Sequence, residues 1–572
     1  MKRLLLISVI ISALCVIGWS TYQAVAPAPE RSMASLMPQG AMIYLEAKDF
    51  SGLLREWNAS PEKAAWLKSD NYEVFSRSRL LLRLQQAQTQ FAAAAGVPPD
   101  YKFLGEVAGE RSGLGIYDIG KLELLYVTRL PSSSGMKSAL WQQRAKFEPR
   151  QSAGKQFYVR TESESGRVVA FAVDGDYLVL GTREDLVAGA LSLLSGQKLG
   201  TLDQQSWYVN VLKAAKDPGE LRLLVHLGEV SKTPQFRTYW VQQNITELRQ
   251  YESSVSDLYR SGTEYREERA LLWKAPEAAV ANADGMKAAG ELAQLAPADA
   301  GVFRSTANPK VDDVLGELEQ KVLTPRLGPA PPEKMAPTVT LGEGTVGSSS
   351  SLETRIDAAP PSDSGGQGRG DDVLKALLTK ANIRAAMQAH RSEVAPDGVF
   401  VRLHSVVVLS ASEDWNEPEV LKAIQQTIAP GITTSSLGAG WKKSAGAQDI
   451  SEFDGLSRIA VSVRGKMLVV GTDAAIVQAV TARTSERSTL EPANYVAGFR
   501  HDTERERFYK MTSVLDRASR NNYTGQSNQQ PEFFSQNIGS LSRTLSGVKS
   551  ESITVRRKDG IDLQTVRYEW VQ

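Results

Sequence analysis

Three serine–lysine pairs come nearest, among the residues of this chain, to a catalytic arrangement. In an S-x-x-K sequence on a helix, one turn brings the lysine amine close to the serine hydroxyl, which is the geometry that activates a nucleophile. The K-T-G strand motif that accompanies this chemistry is missing, and several such spacings arise by chance in a chain that contains many serines and lysines. The pairs are Ser60 with Lys63, Ser134 with Lys137, and Ser152 with Lys155.

Other catalytic and binding motifs are incomplete. Residues 115–121 have the glycine and lysine spacing of a phosphate-binding loop, but Leu122 stands where a Mg²⁺-binding serine or threonine is required. The four histidines form no H-E-x-x-H motif, and the apolar neighbours of His226 and His404 are typical of structural histidines. No G-x-S-x-G elbow supplies a nucleophilic serine. The sequence therefore predicts no catalytic residue, no metal site and no cofactor.

The elements around these residues are organised by one stretch that occurs twice. Residues 171–191 (FAVDGDYLVLGTREDLVAGAL) return as residues 461–480 (VSVRGKMLVVGTDAAIVQAV). Each copy predicts a strand, a two-residue turn, a buried strand ending in Gly-Thr, and an amphipathic helix. The turn glycines can take a positive φ, and each threonine is a candidate helix N-cap. The residues with these structural roles are Gly175, Gly181, Thr182, Gly465, Gly471 and Thr472.

The two copies belong to two longer repeats. The opening Leu-Met-Pro at residues 36–38 returns as Leu-Ala-Pro at residues 295–297, an offset of 259 residues (295 − 36). The glycine motifs are 290 residues apart (471 − 181). Trp273 and Trp570 end the predicted closing strands, 297 residues apart (570 − 273). Offsets that stay this close over most of the chain indicate two homologous units.

The predicted fold class is α+β, with two tandem homologous mixed α/β units following a single N-terminal transmembrane helix. The first repeat spans residues 36–273 and the second residues 295–572, and residues 274–294 connect them. Residues 324–370 are rich in proline, glycine and serine and lack an apolar period, which predicts a disordered insertion in the second repeat.

The N-terminus has the pattern of a signal anchor over residues 1–22. Two basic residues precede the uncharged residues 4–19, and Trp19 and Tyr22 suit an interfacial aromatic belt. The basic residues predict a cytoplasmic N-terminus. We therefore expect a single-pass inner-membrane protein whose bulk is periplasmic, or otherwise extracytoplasmic.

Cleavage of this segment is the alternative left open. Residues 24–26 (Ala-Val-Ala) resemble a signal-peptidase site, although Pro27 in the next position weakens it. Cys15 is the only cysteine, so the exported part is predicted to be stable without disulfides and to contain no thiolate metal site. Sixty-six basic residues balance sixty-five acidic ones, which gives no reason to expect nucleic acid as a partner.

The chain resembles a bacterial family of exported or membrane-anchored proteins of unknown function. The resemblance rests on the N-terminal anchor, on an opening of the Leu-Pro-Ala-Asp type at residues 295–299 and more loosely at residues 36–40, and on the later strand ending in Gly-Thr before a helix. It covers both repeats. It implies no activity, cofactor or site residue.

Two helical segments near the start of the first repeat carry apolar stripes. Leu53, Leu54, Trp57, Trp66 and Leu67 form a stripe that is typical of a helix face packed on a core. Residues 77–90 form an amphipathic segment that could bind a partner, although packing onto its own sheet is the simpler interpretation.

Three functions remain after these exclusions. The first is a non-enzymatic cell-envelope protein, a scaffold or binding component whose two extracytoplasmic repeats bind an envelope protein partner. The alternative is a carrier that holds a lipid or another apolar small molecule between the repeats. A Ser-Lys hydrolase comes third. In each case the membrane is contacted through the N-terminal helix, and no nucleic acid is expected.

Overall fold

The computed structural model describes residues 31–69, 72, 76, 79–239, 248–275, 282–323, 370–395, 401–432, 440–454, 458–485, 490–507 and 546–570. The predicted signal anchor, residues 1–22, lies outside them, and so do residues 324–369 of the predicted insertion. Among the helices of the described part, none combines the length and the apolar character that crossing a membrane requires.

The strands of the described residues form one sheet of twenty, and neighbouring strands are antiparallel at every pairing. The α+β class is therefore confirmed. The strands are β1 Ile43–Ala47, β2 Ser112–Asp118, β3 Glu123–Arg129, β4 Glu148–Ser152, β5 Lys155–Thr161, β6 Val168–Asp174, β7 Tyr177–Gly181, β8 Leu221–Val225, β9 Tyr251–Ser261, β10 Glu264–Trp273, β11 Val302–Ala307, β12 Ile383–Val394, β13 Val401–Ala411, β14 Gly440–Ser444, β15 Ala447–Asp454, β16 Ile459–Arg464, β17 Met467–Gly471, β18 Tyr495–Arg500, β19 Val548–Lys558 and β20 Ile561–Trp570.

The order of the strands is the same in both halves of the sheet. From one edge to the centre it is β4-β5-β6-β7-β3-β2-β1-β8-β9-β10, and from the other edge β14-β15-β16-β17-β13-β12-β11-β18-β19-β20. Every strand of the first half thus has a counterpart at the same place in the second.

The halves join where β10 pairs with β20. These strands are counterparts, 297 residues apart (561 − 264), and both predicted strand ends, Trp273 and Trp570, are confirmed. In this pairing Glu268 lies opposite Thr565, and the two residues occupy equivalent positions in the two strands, 297 residues apart (565 − 268). The Thr565 hydroxyl donates to the Glu268 carboxylate at 2.9 Å. The sheet therefore has a local two-fold arrangement centred on this pair.

The helices lie on both faces of the sheet. The repeated stretch forms the predicted strand, turn, strand and helix in both copies, as β6, β7 and α7 and as β16, β17 and α15. The α-helices are α1 Phe50–Ala59, α2 Pro61–Leu67, α3 Arg79–Ala95, α4 Tyr101–Val107, α5 Ser132–Gly135, α6 Ala139–Gln142, α7 Glu184–Leu194, α8 Ser206–Leu212, α9 Leu227–Val230, α10 Pro234–Tyr239, α11 Ala283–Gln294, α12 Val311–Leu318, α13 Gly370–Ala381, α14 Glu417–Ile432 and α15 Ala474–Ala482. Short 3₁₀ helices occupy Met33–Leu36, Arg144–Lys146, Leu202–Gln204 and Arg483–Ser485, and a π-helix occupies Glu319–Leu323.

Each half has three layers because side chains alternate between the two faces of a strand. On the face that carries α7 and α15, called the α7 face, Val179 of β7 packs with α7 and Val469 of β17 packs with α15. On the opposite face, called the α3 face, Leu178 packs with the ends of α3 and α4, and Val470 packs with α12, α13 and α14. The fully apolar strands β7 and β17 are buried on both faces, as their sequences predict.

The connector is shorter than the sequence suggests. Residues 283–294 of the predicted connector form α11, and Ala289 and Leu292 of this helix belong to the core of the second half. The helix is amphipathic, but its buried side consists largely of alanine and glycine. The polar, alanine-rich sequence therefore lacks the large apolar residues that usually mark a buried helix face.

Candidate functional site

The six residues of the Gly-Thr motif have structural roles in both copies. Gly175 and Gly465 each have φ +55°, the left-handed conformation that the turn requires. Gly181 and Gly471 let the following helix approach the strand. A β-carbon added there would lie 3.0 Å from a methyl of Val187 in the first copy and 2.7 Å from a methyl of Val477 in the second.

The prediction that the two threonines cap helices is wrong by one residue. Arg183 and Asp473 occupy the N-cap positions of α7 and α15. The Thr182 hydroxyl instead accepts the Leu124 N–H at 2.9 Å, and the Thr472 hydroxyl accepts the Ser405 N–H at 3.0 Å. Each threonine thus extends the ladder to a neighbouring strand, a partner far away in the sequence.

Replacing Gly175 by alanine is expected to lower the free energy of unfolding by about 1–2 kcal/mol, because an L-residue with a β-carbon is strained at this φ. Gly105 in α4 is the matched control, since a β-carbon there would meet no atom within 4 Å. Gly105→Ala should leave stability unchanged or raise it by up to about 1 kcal/mol. Urea unfolding of both variants measures the difference, and equal losses would contradict the role of the turn.

Two of the three serine–lysine pairs have other partners. Ser60 caps α2, and the Lys63 ammonium donates to Asn58 at 2.7 Å and lies 3.7 Å from the centre of the Tyr101 ring. Ser152 bonds to the Ala188 carbonyl and the Ser192 hydroxyl, and Lys155 forms an ion pair with Asp174. The structure brings neither lysine amine to its serine hydroxyl. In the remaining pair, Ser134 lies in the short helix α5 and Lys137 lies two residues after its end.

The histidines contact aromatic rings, hydroxyls and carboxylates in separate places. His226 stacks on Trp207 with ring centres 4.9 Å apart, and its Nε2 lies 3.1 Å from a Glu252 oxygen. His404 Nδ1 lies 2.6 Å from an Asp473 oxygen. Within the described ranges, no group of His, Cys, Asp and Glu side chains could hold a metal ion.

The apolar stripe of α1 and α2 is buried only in part, which corrects the prediction of a core face. Trp57 is 48% exposed and Leu67 is 45% exposed, whereas Leu53, Leu54 and Trp66 are half-buried. The first residue of α1 reaches the core of the sheet: Phe50 packs edge-on against Tyr126, with ring centres 6.2 Å apart.

The amphipathic helix α3 packs on the sheet along only part of its length. Its C-terminal end contributes Phe91, Ala94 and Ala95 to the core on the α3 face. Near its N-terminal end, Leu82 is 53% exposed and Leu84 is 43% exposed. We call the five large apolar residues of α1–α4 that are exposed the outer helical surface: Trp57, Leu67, Leu82, Leu84 and Tyr101. Of these, Trp57 and Tyr101 are in direct contact.

Two aromatic side chains of the outer helical surface are held to each other. The Trp57 indole N–H donates to the Tyr101 hydroxyl at 3.0 Å, and the Lys63 ammonium lies against the Tyr101 ring. Tyr101 is the first residue of α4, whose N-cap Asp100 accepts the Phe103 N–H at 2.9 Å. The sequence marks this helix start with two prolines, but nothing in it marks Tyr101 as exposed.

Four acidic side chains in or next to α1 and α4 are occupied within the fold. Asp49 and Asp100 cap α1 and α4, Glu56 forms an ion pair with Arg260 of β9, and Glu106 accepts the Ala139 N–H at 2.7 Å. Three basic side chains in or next to α1, α2 and α4 are exposed, and the structure gives them no ion-pair partner among the described residues. They are Arg55, Lys68 and Lys102.

The corresponding helices of the second half bury their apolar side chains. Between β11 and β12, helices α12 and α13 place Val314, Leu318, Leu374 and Leu378 in the core. Val373 is the large apolar residue of these described helices that is exposed, at 41%. Among the described residues of this helical layer, large apolar groups are thus exposed mainly in the first half.

Both edges of the sheet are protected against the addition of another strand. The edge strand β4 contains Pro149 between Glu148 and Arg150, and β14 carries Lys442 and Lys443. Proline removes a backbone donor, and charged side chains discourage strand pairing. Binding of a partner by strand addition is therefore disfavoured at either edge.

Comparisons with known proteins place the chain in no family. No protein-family model matches it, and no curated protein is significantly similar to it. Among solved structures, it is similar to TP0453 in crystal forms I, III and IV, with a TM-score of 0.23 and 10–11% sequence identity. These matches cover 42–43% of this chain and 79–82% of that one.

Proposed function

We propose that this protein is a non-enzymatic binding component of the cell envelope, held at the inner membrane by residues 1–22, and that its outer helical surface binds a protein partner. The observation that carries the proposal is the pair of Trp57 and Tyr101, which are about half exposed and hydrogen-bonded to each other. Rigid aromatic side chains lose little conformational entropy on binding and supply much of the energy of protein interfaces.

The partner that fits this surface has an apolar centre and an acidic rim. The exposed rings and leucines of α1–α4 match an apolar centre. Arg55, Lys68 and Lys102 match acidic groups around it, because the four neighbouring carboxylates of Asp49, Glu56, Asp100 and Glu106 are already occupied by caps, an ion pair and a backbone N–H.

We further propose that the two halves are tandem copies of one unit and that the first copy alone kept the binding surface. The identical strand order and the constant offset of β9–β10 and β19–β20 support this proposal. At the corresponding place in the second half, helices α12 and α13 bury apolar residues in the core.

Binding of an apolar molecule between the two repeats has less support. The halves meet through nine residue pairs of β10 and β20, so that their junction is a continuous β-ladder.

Photo-crosslinking tests the surface in the full-length protein in native membranes. A benzoylphenylalanine at position 67 is expected to form a reproducible adduct with one envelope protein, identified by mass spectrometry. The matched control carries the same probe at position 373, where Val373 of α13 is similarly exposed, and should give no adduct with that protein. In the Trp57→Ser, Tyr101→Ser double variant, the adduct from position 67 should fall at least tenfold.

Two results would overturn the proposal. One is an equal yield of the same adduct from positions 67 and 373, which would indicate non-specific contact. The other is an unchanged yield in the double variant, which would show that the aromatic pair does not bind the partner. As a folding control, the double variant should unfold at the same urea concentration as the wild type, which would show that the sheet remains intact.

A further inference from the structure

A cavity of about 480 Å³ lies on the α3 face of the second half. Its floor is the sheet, where Val302, Leu403 and Phe499 are apolar and His390 and Ser405 are polar. Its roof is the π-helix Glu319–Leu323 together with residues 501–507, which are helical. A volume of this size is in the range of small-molecule sites, and π-helical turns occur frequently at functional positions.

The charges at the cavity leave one cation uncompensated. The Glu504 carboxylate accepts the Ser392 hydroxyl at 2.5 Å and lies 3.4 Å from the Arg507 guanidinium, which also donates to the Ser392 carbonyl at 2.6 Å. Glu504 and Arg507 therefore neutralise each other. Lys321 also lines the cavity, and the described residues provide no ion-pair partner for its ammonium.

The same place in the first half is filled with apolar side chains. Val302 of β11 is flanked by His390 and Phe499, whereas its counterpart Ile43 of β1 is flanked by Ile116 and Val225. There the helices α9 and α10 pack Val230 and Phe236 against Ile43 and Val225. In the second half, His390 and the cavity thus lie where the described residues of the first half place apolar side chains.

We propose that this cavity binds an amphipathic anion, one alkyl or acyl chain with a carboxylate or phosphate headgroup. The chain lies against Val302, Leu403 and Phe499, and the headgroup pairs with the Lys321 ammonium. The apolar floor accounts for the chain, and the single uncompensated cation accounts for the sign of the headgroup. This site is on the second half, so it is independent of the partner proposed for the outer helical surface.

Isothermal titration of the purified full-length protein tests the proposal with three probes. Dodecanoate and dodecyl phosphate, each below its critical micelle concentration, distinguish the two headgroups, and dodecanol reports on the apolar floor alone. We expect one site per chain, with at least one of the anionic probes binding roughly tenfold or more tightly than dodecanol.

Lys321→Met should weaken binding of the anionic probes about tenfold or more and leave dodecanol binding unchanged. Lys310→Met is the matched control, because Lys310 is an exposed lysine that does not line the cavity, and it should bind all probes as the wild type does. Leu403→Trp should fill the cavity and weaken all three probes, with thermal unfolding checked in parallel.

The proposal is overturned if neither anionic probe binds or if Lys321→Met binds them as tightly as the wild type. It is also overturned if dodecanol binds as tightly as both anions, because the site would then recognise the chain alone. Lys321→Met decides the question even if Leu403→Trp fails to fold, since Lys321 is only half-buried and lies at the surface of the π-helix.

Discussion

Replacing Asp257 by alanine is expected to lower the free energy of unfolding by about 3–5 kcal/mol. Asp257 is 2% exposed and accepts one hydrogen bond from Arg222 on each carboxylate oxygen, both at 2.7 Å, and one from the Gly219 N–H at 3.1 Å. Without it, the buried Arg222 guanidinium loses its counter-charge inside the sheet. Removing one member of a buried pair is costly because the other charge stays desolvated.

Arg222 stays charged in the fold, which makes this loss large. Burial lowers the pKa of Arg222, but the hydrogen bonds and the charge of Asp257 outweigh burial and keep that pKa above its ordinary value. An arginine guanidinium stays protonated at neutral pH, so the variant cannot recover by releasing a proton. It must either expose the guanidinium or unfold.

Urea unfolding at pH 7 measures this effect, with Asp185→Ala as the matched control. Asp185 pairs with Arg183 at 2.6 Å, but the two side chains are 64% and 39% exposed, so the loss should be below about 1 kcal/mol. The double variant Asp257→Val, Arg222→Met should recover most of the stability, because it removes both charges. A loss in Asp257→Ala no greater than in Asp185→Ala would refute the assignment.

Replacing Phe171 by alanine should cost about 3–5 kcal/mol, through lost apolar contact and the cavity that remains. Phe171 is fully buried on the α3 face, and three rings surround it. Its ring centre lies 5.1 Å from that of Phe147 in an edge-on contact, 5.4 Å from that of Tyr158 in a stacked one, and 6.4 Å from that of Trp141.

The second copy of the repeated stretch supplies the control for this prediction. Val461 is the first residue of the second copy, the position that Phe171 occupies in the first copy, and it is also fully buried. Val461→Ala should cost about 2 kcal/mol, because fewer atoms are removed. Guanidinium unfolding followed by near-ultraviolet circular dichroism measures both variants. A Phe171→Ala loss that does not exceed that of Val461→Ala would show that the ring cluster contributes little.

The arrangement of the sheet bears on how the proposed partner could bind. The centre of the sheet is closed by the β10–β20 ladder, and its edges carry proline and charged residues. Helices cover both faces of each half. The outer helical surface then carries five of the large apolar side chains that are exposed among the described residues.

Local features of the fold follow from the sequence alone. The turn glycines Gly175 and Gly465, the buried strands β7 and β17, and the ends of the closing strands at Trp273 and Trp570 were all predictable. Each depends on residues within one turn or one strand, where backbone sterics and the two-residue period of a strand decide the conformation.

Contacts between distant parts of the chain decided the rest. Thr182 extends a strand rather than capping α7 because Leu124 lies beside it in the sheet. The exposure of Trp57 likewise depends on tertiary packing that the apolar period of α1 does not reveal. The cavity exists because His390 and Phe499 flank Val302, although nearly two hundred residues separate Val302 from Phe499. Apolar periodicity shows which side of an element can be buried, but only the tertiary structure determines what covers that side and what it leaves exposed.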